Sequence, residues 1–129
     1  MFMKRFVMIA SLLGFWGVAS GAFGAHALKG SLSTYELGIW QTAVNYLLFH
    51  VPVMLFAIVL PNFMSGVEKT AKYSFISFAF GCAVFSVSLQ VLAITGTKWL
   101  GAITPIGGML LLIGWVLLFV TGWKGRLKP

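Results

Sequence analysis

The sequence predicts an all-α integral membrane protein, an antiparallel bundle of four transmembrane helices with both termini on the cytoplasmic side. Three observations predict it. The chain is 60% hydrophobic and only 9% charged, against about 25% charged residues in a soluble globular chain. Its apolar residues gather into four stretches of the length that crosses a bilayer, about 20 residues each. Its nine Lys and Arg residues fall almost entirely at one end of those stretches. With 129 residues there is room for one domain, a single transmembrane unit over 1–129.

The first stretch, 6–28, carries no charge, and Lys29-Gly30 is expected to close it with a cation and a left-handed cap. It follows Met1–Arg5 as a secretory leader would, and Ala25-His26-Ala27 imitates a cleavage site. The run nevertheless exceeds a leader's apolar core of about 7–15 residues, so it is expected to stay as the first membrane helix. The second helix, 34–60, opens on Ser33-Thr34-Tyr35-Glu36, a capping box in which Ser33 caps and Glu36 reaches back. Pro61-Asn62 is expected to stop it, and Trp40 to sit near the membrane interface. The third, 73–95, is uncharged and closed by Gly96. The fourth, 105–123, is expected to start with Thr104 as cap and Pro105 as its first residue. Short polar or glycine-bearing loops make the helices antiparallel neighbours.

Cytoplasmic loops carry the excess of basic residues. Lys4, Arg5, Lys69, Lys72, Lys124, Arg126 and Lys128 fall on one side, whereas Lys29 and Lys98 fall on the other. Both termini are therefore expected in the cytoplasm, and so unequal a split argues against insertion in two orientations. The net charge of +7 comes from these orientation signals rather than from a basic face, so no nucleic-acid partner is expected. The lone Cys82 rules out a disulfide framework or a cysteine metal site within one chain.

Lipid gives helices no hydrophobic drive to associate, so small residues must let backbones approach. Ala10, Gly14, Gly17, Gly21 and Gly24 are spaced four, three, four and three apart. At about 100° per residue they share one quarter of the helix surface, a packing seam. Ser74, Ser77, Gly81, Ser88 and Thr95 make a similar row on the third helix.

Three motifs carry a resemblance. Gly21-Ala22-Phe23-Gly24-Ala25-His26-Ala27-Leu28, Trp40-Gln41-Thr42-Ala43-Val44-Asn45-Tyr46 with His50, and Thr104-Pro105-Ile106-Gly107-Gly108 with Trp115 occur in order over nearly the whole chain. Together they resemble the uncharacterised bacterial inner-membrane proteins of domain-of-unknown-function family 423. The resemblance implies a four-helix inner-membrane protein and brings no known activity. The chain departs from that family's pattern in helix three, where Phe85-Ser86-Val87-Ser88-Leu89-Gln90 stands in place of Phe-Ser-Gly-Ser-Leu-Tyr, and at Leu47, often Gln in the family.

Polar groups within the membrane point to function. His26 lies near the end of helix one, where a cation favours the helix dipole, and reads as interfacial. His50 lies ten residues before Leu60, about 15 Å into the bilayer. Tyr46 is one turn away on nearly the same face, and Pro52 frees a carbonyl next door. Gln41 and Asn45 form a second stripe, expected opposite His50, while Cys82, Ser86 and Gln90 form another on helix three. These six, His50, Tyr46, Asn45, Gln41, Ser86 and Gln90, are the candidate intramembrane polar site.

Two functions fit. The first is an interaction or assembly protein that packs with itself or with a larger membrane complex. The second is an oligomeric transporter or channel with a polar path near His50. The only acids, Glu36 and Glu68, flank the spans, which disfavours proton-driven export through a buried carboxylate. No enzyme activity and no cofactor are expected. Ser, His and Asp do not assemble in the membrane, and His26 and His50 differ in depth by about 12 Å, too far to ligate one haem iron.

Overall fold

The computed structural model describes residues 2–129. Four helices make up nearly all of it: α1 Phe2–His26, α2 Thr34–Phe63, α3 Glu68–Thr95 and α4 Leu100–Lys124. Each is long and apolar enough to cross a membrane. Their outward faces suit lipid: on α4, Leu112, Val116 and Phe119 are 60%, 61% and 71% exposed, a stripe no monomer could present to water without aggregating.

Contacts between neighbours run in opposite directions along each pair, so the helices are antiparallel. Gly14 faces Val51 and Gly24 faces Trp40, while Gly81 faces Leu111 and Gly107 faces Phe85. Helix α3 is the hub, packing on α2 and α4 and touching α1. The core between α2, α3 and α4 holds Leu47, Met54, Phe75, Phe78, Cys82 and Leu111. Phe6 of α1 stacks on Phe75 at 4.1 Å.

The glycine seam of α1 is its contact with α2. A Cβ on Gly14, Gly17, Gly21 or Gly24 would meet Val51, Leu48, Val44 or Trp40 respectively. Gly24 is the tightest, at 2.5 Å from Trp40 Nε1. Trp40 is buried, and its indole donates to the Ser20 carbonyl at 2.8 Å. Trp40 is thus a joint between α1 and α2, because Gly24 leaves a seat for its ring. Gly24→Ala should unseat that ring and cost about 1–3 kcal/mol, the usual range for overpacking. Thermal denaturation in detergent measures this, and an unchanged midpoint would mean the indole has room to move.

The row on α3 packs against α4. Ser74 donates to the Gly114 carbonyl at 2.8 Å, Ser77 to the Leu110 carbonyl at 2.7 Å, and the Ser88 and Thr104 hydroxyls share a bond at 2.8 Å. Each such bond joins membrane helices by about 0.6–2 kcal/mol. The backbones come closest here: a Cβ on Gly107 would lie 2.5 Å from the Phe85 nitrogen, and one on Gly81 2.9 Å from the Leu111 nitrogen.

Helix ends differ from the sequence reading in four places. Helix α1 stops at His26, and the chain passes through Ala27–Ser33 in turns. Gly30 is no left-handed cap; among the described residues only Gly66 and Gly96 have positive φ. Helix α2 continues through Pro61 to Phe63, because a helical proline removes only its own N–H and membrane helices tolerate the loss. Helix α3 starts at Glu68 rather than 73; Lys69 and Lys72 are good helix formers whose long stems let a charge reach the interface. Helix α4 starts at Leu100, with Pro105 in its interior. Its first turn is held by Leu100, Gly101 and Ala102 donating to Thr97, Lys98 and Trp99. Thr104, expected as a cap, donates to the Leu100 carbonyl at 3.2 Å instead. The Ser33–Glu36 capping box forms as expected and Gly96 closes α3 as expected, in the left-handed conformation.

A short clip closes the end where the termini lie. Strand β1, Met64–Ser65, pairs antiparallel with β2, Arg126–Leu127. Beyond it the Lys128 N–H donates to the Phe63 carbonyl at 2.9 Å, and Lys128 Nζ to the Pro61 carbonyl at 2.6 Å. A cation at a helix C-terminus is favourable. Gly66, at φ 78°, turns the chain from β1 into α3.

Candidate intramembrane site

Helices α2 and α4 flank α3 and meet through Phe49, His50 and Trp115. Above that meeting they diverge, leaving a groove of about 710 Å³ with its floor at Phe85. Its α2 wall is Asn45, Tyr46, Phe49 and His50, and its α4 wall runs from Pro105 through Gly108 and Met109 to Trp115. The spacing explains the α2 wall. At about 100° per residue, Asn45, Phe49, Tyr46 and His50 lie in that order around an arc of about 140°. The arc stays open because no helix packs over it. Asn45 is therefore at the far rim of His50's own groove, while Gln41, the other member of the stripe expected opposite His50, is not in its lining.

His50 closes the deep end and is 5% exposed. Its Nδ1 lies 2.8 Å from the Tyr46 carbonyl, and its Nε2 lies 3.2 Å from Trp115 Nε1. An indole N–H only donates and a carbonyl only accepts. Both bonds form together only in the neutral imidazole with its proton on Nδ1. The sequence offered the Tyr46 side chain, with a serine of helix three or the carbonyl freed by Pro52, as partners. The structure uses the Tyr46 carbonyl, one turn back along the helix, because side chains on a helix lean toward its N-terminus. Aromatic rings enclose the imidazole, with Tyr46, Phe49, Phe78 and Trp115 centred 5.7, 5.5, 5.5 and 6.0 Å away.

Gln41 lies one turn before Asn45 and donates from Nε2 to Asn45 Oδ1 at 2.8 Å. That leaves the Asn45 amide N–H groups and the Tyr46 hydroxyl with no hydrogen bond among the described residues. The Tyr46 ring stacks on Phe85 at 4.3 Å.

The other candidates lie elsewhere. Ser86 donates to the Ala43 carbonyl at 2.9 Å, a buried joint between α2 and α3. Gln90 accepts from Trp16 Nε1 at 2.9 Å, joining α3 to α1, and its Nε2 is buried without a partner among the described residues. A smaller cavity near them, about 270 Å³, is lined by Leu13, Trp16, Leu47, Cys82, Ala83, Ser86 and Val87. The six polar residues thus divide between two faces of the bundle. His26 is the last residue of α1 and is exposed. No three His, Cys, Asp or Glu among the described residues lie close enough to hold a metal ion.

Sequence reasoning passed over Trp115 and Phe78 as site residues. The signal was there for Trp115: an indole in mid-helix, away from either interface, needs an acceptor at its own depth.

Comparison with known proteins adds a family. The family profile described as "Protein of unknown function (DUF423)" matches residues 20–108. The chain is 37% identical to a UPF0382 membrane protein of Staphylococcus haemolyticus, over 95% of this chain and 98% of the relative. It is 34% identical to the UPF0382 membrane protein YwdK of Bacillus subtilis, with the same coverage of each. A UPF0382 membrane protein of Staphylococcus aureus strain USA300 is 39% identical over 95% of this chain and 98% of its own length. No solved structure gives a significant match.

Proposed function

Since the chain belongs to the DUF423 family, a family of membrane proteins defined by its unknown function, we propose a role from its own geometry. It is an interaction protein of the bacterial inner membrane that holds an apolar membrane component in the α2–α4 groove. The observation that carries this is the groove itself: about 710 Å³, open sideways, and walled by aromatic and aliphatic side chains with a few polar groups along its α2 wall. Ligand sites have this size and lining. A solute path would need polar groups in succession across the membrane. Here His50 is fully bonded within the bundle, and Ser86 and Gln90 face other helices, which favours holding over transport.

A photo-crosslinking side chain at Met109, in the groove, tests the reading in native membranes. It should give an adduct of discrete mass that the same group at Phe15, 74% exposed on α1, does not. Identical bulk-lipid products from both positions would overturn it.

The basic residues support cytoplasmic termini. A cysteine at Ser31 should react with an impermeant maleimide in intact cells, and one at Arg126 only after permeabilisation. The opposite pattern would invert the orientation.

A further inference from the structure

We propose that the α2–α4 groove binds an uncharged lipid whose head is a flat ring bearing carbonyl oxygen, the chemistry of an isoprenoid quinone. This rests on the groove being a binding site and names what it takes.

The hydrogen-bonding of the rim selects the head. Asn45 Oδ1 already accepts from Gln41, and the Asn45 groups with no bond among the described residues are its amide N–H donors. The Tyr46 hydroxyl is the second open group, and the nitrogens of His50 and Trp115 are satisfied by each other and by the Tyr46 carbonyl. The rim thus presents the unmet N–H donors of Asn45 and a Tyr46 hydroxyl that can donate or accept, and one carbonyl oxygen can meet both. By length, Asn45 lies about 16 Å along an α2 helix of about 45 Å, within a hydrocarbon layer of about 30 Å centred on that helix. A donor left unmet there is costly, so the occupant should supply an acceptor.

Charge narrows the class further. No Lys, Arg, Asp or Glu lines the groove, so a phosphate or carboxylate head would be buried without a counter-charge. Shape supplies the rest. Tyr46, Phe49 and Phe85 around the donors suit a planar ring, and aromatic pairs add stabilisation beyond burial. Along α4 the groove runs ten residues, from Pro105 to Trp115, about 15 Å of apolar wall for a tail. A second copy placed by a twofold axis would set hollow against hollow.

Thermal denaturation of the purified protein in nanodiscs tests this, because a ligand that binds only the folded state raises the midpoint. Decylubiquinone is the probe, and decylbenzene keeps a flat ring and the ten-carbon tail but has no oxygen acceptor. Gly108→Phe is designed to block the groove: a Cβ there first meets the Phe85 ring at 3.9 Å, ordinary contact, so the ring is directed into the groove without a backbone clash at its root. Decylubiquinone should stabilise the protein saturably and bind about tenfold more tightly than decylbenzene, the effect of one or two hydrogen bonds. Asn45→Leu with Tyr46→Phe should erase that difference, and Gly108→Phe should abolish both responses. Equal binding of the two probes to the unaltered protein would overturn the carbonyl assignment and leave the groove reading intact. Persistence of both responses in Gly108→Phe, or no response to either probe, would overturn both. A dimer in the nanodisc that Gly108→Phe converts to monomer would instead place a second copy in the groove.

Discussion

Gly107→Ala is expected to loosen α3 from α4 and to lower the melting temperature in detergent by more than Gly24→Ala does. The two added methyl groups would meet their neighbours at the same 2.5 Å, but the neighbours differ. Opposite Gly24 is the indole of Trp40, which can rotate. Opposite Gly107 are the backbone nitrogen and Cα of Phe85, at 2.5 and 2.8 Å, which can yield only by moving the helix. Moving it would stretch the Ser74, Ser77 and Ser88 bonds together, so the loss should reach or exceed about 3 kcal/mol, the upper end of the usual range for overpacked sites. Gly101→Ala is the internal comparison. Nothing lies within 4 Å of a Cβ there, so the protein should gain up to about 1 kcal/mol of helix propensity. Equal midpoints for the two variants would mean that α3 and α4 do not approach closely in solution.

The second large effect is expected at the His50–Trp115 pair. Trp115→Phe keeps an aromatic ring in the cage but removes the donor to His50 Nε2, leaving a buried nitrogen unmet at a cost of about 1–3 kcal/mol. His50→Leu orphans the indole N–H in the same way. Removing both leaves nothing unmet, so the double variant should be less destabilised than the sum of the singles by about 0.6–1.7 kcal/mol, the range for membrane hydrogen bonds. Strict additivity in the double-mutant cycle would show that the two rings only touch.

The fold was legible because the membrane enforces it. Four uncharged runs give four spans, and the glycines of α1 mark a seam at a period only a helix produces. The helix ends were less legible because absence of charge marks where hydrocarbon begins, not where a helix does. Lys69 and Lys72 are helical yet lie outside that criterion. Pro61 and Pro105 read as boundaries because their effect in water was carried over to chains whose neighbours satisfy the freed groups. Of the site, His50 and Tyr46 were legible from depth and one-turn spacing. Asn45, read as opposite His50, lies about 140° from it yet lines the same groove, because helical angle alone does not say how wide a gap the neighbouring helices leave. Trp115 is sixty-five residues from His50 in the chain, and only the packing of α3 between α2 and α4 brings them together.

The clip between β1 and β2 has a mechanical consequence. It joins the C-terminal ends of α2 and α4, the two helices that form the groove walls, while their N-terminal ends run on to α1 and α3. The walls therefore resemble a pair of tongs with its pivot at the clip. For rigid arms, displacement grows with distance from the pivot, so a small tilt of α4 relative to α2 moves the Asn45–Pro105 rim further than the His50–Trp115 contact. Helices tilt to match the thickness of their bilayer. A thinner or thicker membrane would thus act on the width of the mouth and leave the deep end almost unchanged.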